Sequence, residues 1–178
     1  MKTVLSAAVL FCSLTSVVLG GARPNIVLLM SDDQGFVDVG YNTNNDLGIR
    51  TPNIDQMVKE GVTFNRFYAC PNCSPTRASV LTGRHPFRTG VFNPGWAMNT
   101  SELTVAEVLK KAGYDTAHFG KWHLGREPHS PLERGFDVDL PHWWGPGPKS
   151  SYLAPWGYEN PEFKEGKPGD HIEDRMAR

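Results

Sequence analysis

The feature that most limits the fold is the run 25–30, NIVLLM, which is almost continuously apolar and stops at Ser31, Asp32 and Asp33. Such a run predicts a short strand buried on both faces of a parallel sheet. Ligands in open α/β sheets bind at the carboxyl ends of strands, so Asp32 and Asp33 occupy a position suited to a site. Aspartate suits a loop or a helix N-cap equally well, and this run alone does not decide between these uses.

The rest of the chain alternates predicted helices and strands, which is typical of an α/β fold. The pattern predicts, in chain order, a helix over 51–61, a strand over 62–69, a helix between 74 and 83, a helix over 104–112, a strand over 115–119, a long irregular loop after 131 and the start of a helix within 170–178. Thr104 and Glu107 match a capping box. The residues of that helix expected to face inward are Val105, Val108 and Leu109.

Bulk properties limit the class of protein. At 178 residues with 39% hydrophobic content, the chain has room for one ordinary domain. A formal net charge of -1 argues against binding to nucleic acid or to an anionic membrane. Residues 1–22 combine Lys2, an interrupted apolar stretch and small residues at the end. They predict a cleaved signal peptide and a secreted, periplasmic or lysosomal protein whose mature part is 23–178.

Cys73 lies just before a predicted helix. Ser74 is a good N-cap and Pro75 suits the first helical position. Unpaired backbone amides and the helix dipole favour anions at such a start, and Arg77 can reach back toward the same side. The cysteine is therefore expected beside an anion-binding pocket. A disulfide or redox pair between Cys70 and Cys73 is the alternative use of these residues.

The motif Cys-x-Pro-x-Arg at 73–77, followed by LTG at 81–83, resembles the signature of the sulfatase family within the alkaline-phosphatase-like superfamily. Further segments that resemble family blocks, in the family's order, are PNIV at 24–27 leading to Asp32 and Asp33, TPNID at 51–55, and GKWHLG at 120–125. The resemblance implies a mixed, largely parallel sheet flanked by helices. It also implies that 23–178 is the N-terminal part of a sulfatase catalytic domain, incomplete at its C-terminus.

The resemblance implies a role for each matched residue. Cys73 would be oxidised to formylglycine by a formylglycine-generating or equivalent maturation enzyme, and the hydrate would attack the sulfur of a sulfate ester. Arg77 would hold the formylglycine and its charge, while Lys121 and His123 would contact the sulfate and the modified residue. Sulfuryl transfer needs in-line positioning and neutralisation of charge on the equatorial oxygens, which such cations supply. A gem-diol can then expel sulfate by collapsing to an aldehyde, which a thiol cannot do.

The resemblance also implies calcium, or magnesium, held by Asp32, Asp33 and the modified Cys73, since hard cations prefer oxygen ligands. Members of the family are longer, and their later portion supplies the other metal ligands and further residues of the sulfate pocket. We therefore expect the 178-residue chain to bind metal weakly and to have little or no turnover.

The expected substrate is a sulfated small molecule or a sulfated glycan. Stacking surfaces for a ring are offered by Trp143, Trp144 and Trp156. Two alternatives stay open: a phosphonate or phosphate monoester hydrolase of the same superfamily, and a non-catalytic secreted domain that binds sulfated ligands. The histidines without a motif, expected on the surface or in the core, are His85, His118, His129, His142 and His171.

Overall fold

The computed structural model describes residues 23–42 and 44–178, so the predicted signal peptide at 1–22 lies outside the described residues. The chain divides into two compact units, Met1–Ser31 and Asp32–Arg178. In the first, the run 25–30 has no regular secondary structure, and Val27 and Leu29 are 79% and 77% exposed. The prediction of a doubly buried strand is wrong here. No strand among the described residues pairs with this run to take up its backbone hydrogen bonds.

The second unit contains helices and a small parallel sheet. Its elements are α1 (Pro52–Glu60), α2 (Cys73–Thr82), α3 (Pro86–Thr89), α4 (Val105–Lys111), β1 (Ala117–Phe119), β2 (Val138–Leu140) and α5 (Ile172–Met176), with short 3-10 helices at Leu132–Arg134 and Pro161–Phe163. Strands β1 and β2 place His118 opposite Asp139. None of the described helices is long and apolar enough to cross a membrane.

Helix α4 begins with the predicted capping box. The Thr104 hydroxyl accepts a hydrogen bond from the Glu107 amide at 3.1 Å, and the Glu107 carboxylate accepts one from the Thr104 amide at 2.7 Å. The inward face is different from the predicted one, because Ala106 is buried whereas Val105 and Val108 are exposed. The Thr104 hydroxyl also donates to the carbonyl oxygen of Arg134 at 2.9 Å, which fixes the start of the helix against a later loop.

The strand predictions succeed only in part. Strand β1 falls within the predicted 115–119, and Gly120 follows it with a φ of 100°. The segment 62–69 forms no strand, and its aromatic residues Phe64, Phe67 and Tyr68 are exposed. Conversely, β2 lies inside the region predicted as irregular loop. A strand of three residues is created by its partner across the sheet, and local sequence carries little of that information.

Two apolar clusters form the core. The first joins α2 to the loop after β1, and its buried members are Ala78, Val91, Met98, Trp122 and Leu124. The second lies in the C-terminal part of the chain and contains Trp156, Tyr158, Phe163 and Ile172. Trp156 is only 1% exposed, so it is a core residue and offers no stacking surface to a ligand. The first cluster supports the loop that carries Lys121 and His123.

Candidate active site

Helix α2 presents Cys73 as its first residue. Asn72 is the N-cap, and Gly83 ends the helix in the left-handed conformation with a φ of 65°. The predicted N-cap role of Ser74 is wrong, because Ser74 is inside the helix and fully buried. Its hydroxyl instead donates to the carbonyl oxygen of His123 at 2.7 Å and accepts from the amide of Gly95 at 2.8 Å. One serine thus joins three segments at the base of the site.

Cys73 faces His123. The thiol Sγ lies 3.1 Å from Nδ1 of the imidazole. His123 adopts a φ of 56°, a conformation that a non-glycine residue takes only when its surroundings hold it there. The Ser74 hydrogen bond to its carbonyl oxygen is one such restraint. The ring of His123 also lies close to Gly95, where a Cβ atom would be 3.3 Å from Nε2.

Three charged side chains converge next to this pair. Oδ2 of Asp32 lies 2.8 Å from Nη2 of Arg77 and 2.6 Å from Nζ of Lys121. Arg77 also donates through Nη1 to the carbonyl oxygen of Lys121, and its buried Nε has no hydrogen-bond partner. Arg77 is 11% exposed and Asp32 30% exposed. Two cations around one carboxylate leave the cluster with a net positive charge, which suits an anionic ligand.

The charges around the site perturb two groups. Burial by itself raises the pKa of Asp32, but the hydrogen bonds and charges of Lys121 and Arg77 outweigh it and hold the pKa below its ordinary value. For His123, burial lowers the pKa, and the charges of Lys121 and Arg77 lower it further, against the opposing effect of Asp32. The imidazole beside Cys73 is therefore mainly neutral at pH 7 and able to accept a proton.

The described residues do not by themselves amount to a metal site. In the ranges 23–42 and 44–178, no three His, Cys, Asp or Glu side chains form a group that could hold a metal ion. Asp32 already contacts two cationic side chains through one oxygen, and Asp33 is exposed with a φ of 56°. The metal role of Asp32, Asp33 and Cys73 therefore stays a prediction.

Cys70 and Cys73 are both free thiols, so the disulfide alternative is not formed. The amide of Cys70 donates to the hydroxyl of Thr76 at 3.1 Å, and the same hydroxyl lies within hydrogen-bond distance of the Cys70 carbonyl oxygen. These contacts tie the segment before α2 to the helix. They hold Cys70 as a structural residue, apart from the Cys73 and His123 pair.

Sequence reasoning missed several polar contacts. Ser74 and Gly95 carry no local signal for the loop contacts they make, since these depend on segments distant in the chain. Two of the histidines without a motif contact one buried carboxylate, because Asp139 accepts from His118 at 2.7 Å and from the half-exposed His142 at 2.8 Å. The alternation of polar residues in β1 and β2 is the only sequence signal that could have suggested this link.

Comparison with known proteins shows what the chain is similar to. The family model described as Sulfatase matches residues 24–152. N-acetylgalactosamine-6-sulfatase of Mus musculus is 44% identical over 137 residues, which are 68% of this chain and 25% of that protein. Steryl-sulfatase of Homo sapiens is 43% identical over 135 residues, 65% of this chain and 23% of that protein. The crystal structure of Ps i-CgsB superposes with a TM-score of 0.69 at 33% identity, over 86% of this chain and 39% of that chain.

The chain belongs to the sulfatase family. Its α/β fold, predicted as alkaline-phosphatase-like, is confirmed by the likeness to Ps i-CgsB. The described part of the chain shows a small piece of that fold, with one parallel pair of strands among helices. The chain spans about a quarter of the length of the curated relatives that it matches.

Proposed function

We propose that this chain forms part of a hydrolase of sulfate monoesters in which Cys73 is the precursor of a formylglycine nucleophile. The observation that carries the proposal is the distance of 3.1 Å between Sγ of Cys73 and Nδ1 of His123 at the start of α2. Membership of the sulfatase family supports the reaction class. Because the chain covers only 25% of a relative such as the mouse enzyme, the activity of the whole protein is itself part of the proposal.

His123 is suited to the role of proton acceptor. Formylglycine, once formed from Cys73, supplies a hydroxyl in place of the thiol. A general base must lie within hydrogen-bond reach of the proton that it takes, and Nδ1 of His123 already lies at that distance from the side chain of residue 73. The lowered pKa of His123 favours the neutral ring near pH 7, and a neutral imidazole is free to accept a proton.

Arg77 and Lys121 are suited to holding the anionic ester. A sulfate monoester carries its charge on the oxygens around sulfur, and fixed cations stabilise that charge without rearranging during the reaction. Asp32 holds both cations in place through a single oxygen atom. Oxygen ligands from Asp32 and Asp33 would contribute to a calcium or magnesium site, but a calcium ion takes about six to eight oxygens and these residues do not complete the set.

We also propose how the chain matures, where it is located and on what kind of evidence its substrate has to be inferred. Conversion of Cys73 requires a formylglycine-generating or equivalent enzyme as a partner. The signal-like segment 1–22 supports entry into a secretory route, toward the periplasm, the cell exterior or the lysosome. The relatives' names refer to a sugar in one case and to a sterol in another, so the substrate has to be inferred from this chain.

Hydrolysis of 4-nitrophenyl sulfate and 4-nitrophenyl phosphate by the matured chain tests the reaction class. Because the chain lacks part of the expected site, we expect very little release of 4-nitrophenol, and the release that occurs should be faster from the sulfate ester than from the phosphate ester. This release should disappear in Cys73→Ala and persist in Cys70→Ala. A preference for the phosphate ester would favour the alternative hydrolase, and sulfate ester hydrolysis that survives Cys73→Ala would refute the nucleophile assignment.

A further inference from the structure

A cavity of about 290 Å³ is lined by residues that follow those of the candidate active site in the sequence. It begins at Gly125, two residues after His123, and continues to the loops around 139–149 and 158–160. Its wall combines tryptophan rings with charged and hydroxyl-bearing side chains. The proposed reaction does not use any of these groups.

The aromatic part of the wall is held in place by stacking. The rings of Trp143 and Trp144 lie 5.0 Å apart, and the guanidinium of Arg126 lies 3.8 Å from the centroid of Trp144. The amine of Lys149 lies 5.8 Å from the centroid of Trp143. Although Arg126 covers one face of its ring, Trp144 remains 39% exposed, which leaves part of the indole open to a ligand. A fixed, partly exposed indole is a suitable platform for the apolar face of a sugar.

The polar part of the wall contains groups without partners. Ser130 is only 4% exposed, and its hydroxyl makes no hydrogen bond within the protein. The indole nitrogen of Trp143 is likewise buried and unpaired. An unsatisfied buried hydroxyl or N–H group destabilises the folded state. Both residues line the cavity, so a ligand or water with hydroxyl groups can recover this cost.

The charges of the wall favour an uncharged ligand. Glu127, Asp139 and Glu159 line the cavity together with only two cations, Arg126 and Lys149. Asp139 is already engaged by two histidines, and Oε1 of Glu127 lies 3.4 Å from Nε2 of His142, which leaves Glu159 as the acceptor for hydroxyl groups. A second sulfate or carboxylate would meet more negative than positive charge here.

We propose that this cavity binds an uncharged sugar ring, with Trp144 stacked on its face and Glu159 accepting hydrogen bonds from its hydroxyl groups. The inference rests on the proposed function, because the ring would belong to the unit next to the sulfated unit of the substrate. It assigns the substrate to sulfated oligosaccharides or polysaccharides. A simple aryl sulfate lacks the array of ring hydroxyl groups that this wall would bind.

Binding of uncharged disaccharides to the Cys73→Ala chain tests the proposal, with lactose, diacetylchitobiose and neoagarobiose as probes and saturation-transfer NMR as the readout. We expect at least one to bind, with affinity about tenfold weaker in Trp144→Ala. Glu159→Ala, which leaves the tryptophan pair intact, is expected to weaken binding severalfold. Trp96→Ala is the matched control, since Trp96 is 46% exposed and lies outside the cavity.

Two results would overturn the inference: no binding of any probe, or equal binding by Trp144→Ala and the parent chain. Circular dichroism confirms that each variant is folded. Since the measurement is made without Cys73, it does not depend on sulfate ester chemistry. If the proposed hydrolysis is not observed, the result on sugar binding is unaffected. If no sugar binds, the proposed reaction is unaffected.

Discussion

Sγ of Cys73 lies 3.1 Å from Nδ1 of His123, although 50 positions separate the two residues in the chain. The contact depends on Ser74, the neighbour of Cys73, whose buried hydroxyl donates to the His123 carbonyl oxygen. The nucleophile position and the proposed base are therefore tied together by an adjacent residue. Changes near this contact provide the most specific tests of the site.

Removal of the Ser74 hydroxyl should destabilise the fold. Ser74→Ala leaves the Gly95 amide and the His123 carbonyl oxygen without this partner, and we expect a loss of about 1 to 3 kcal/mol in the free energy of unfolding. Urea denaturation measures it. Ser79→Ala is the control, because the Ser79 hydroxyl bonds only to the Pro75 carbonyl oxygen of its own helix. Equal effects of the two substitutions would show that the Ser74 contacts are not a special restraint.

Gly95 should be required next to the His123 ring. Gly95→Ala introduces a Cβ atom 3.3 Å from Nε2 at a φ of 77°. Gly90 has a similar φ of 74° but open space around it, so Gly90→Ala carries only the backbone strain. We expect each variant to lose about 1 to 2 kcal/mol of stability from that strain. The imidazole NMR signals of His123 should shift in Gly95→Ala alone, and unchanged signals would contradict the described packing.

Arg77 should not be replaceable by lysine. Its planar group reaches both Asp32 and the Lys121 carbonyl oxygen, and a single amine cannot make both contacts in the same geometry. We expect Arg77→Lys to lower the stability by about 1 to 2 kcal/mol and to weaken binding of inorganic sulfate. Arg66→Lys, at an exposed position, is the control and should change neither quantity. Calorimetric titration with sulfate provides the second readout.

Asp137 should stabilise the second unit at neutral pH and lose this effect at low pH. Hydrogen bonds from Lys110 and Thr116 lower the pKa of Asp137 from 3.8 to about 2. Because the folded-state pKa is depressed, the carboxylate stabilises the fold above the unfolded-state pKa, and this contribution is lost as pH falls from about 4 to about 2. The difference in melting temperature between wild type and Asp137→Asn should therefore be constant at neutral pH and shrink over that range. A difference that grows on acidification would contradict this assignment.

The helices around the site could be predicted because their signals are local. The capping box of Thr104 and Glu107 and the terminating Gly83 each need only a few neighbouring residues. Strand β2 and the contacts of Ser74 could not be predicted from the local sequence, since they depend on partners distant in the chain. The prediction of a strand over 25–30 is wrong for a related reason. A strand needs a neighbouring strand to take up its backbone hydrogen bonds, and the described residues provide none for this run.

In the candidate site too, some features could be predicted from the sequence and others could not. Residue types and spacing singled out Cys73 and Arg77, whereas Lys121 and His123 were predicted from the resemblance to sulfatases. The structure places the carboxylate of Asp32 between Arg77 and Lys121. The 3.1 Å contact between Cys73 and His123 could not be read from the sequence, since it results from the left-handed backbone at His123 and the packing at Gly95.

Mass spectrometry of the tryptic peptide 67–77 tests the central claim most directly. The peptide contains both Cys70 and Cys73, so fragment ions assign any modification to one of them. After expression with a formylglycine-generating enzyme, we expect an aldehyde at Cys73 and an unchanged thiol at Cys70. An unmodified Cys73, or a disulfide that joins it to Cys70, would show that Cys73 is not the precursor of the nucleophile.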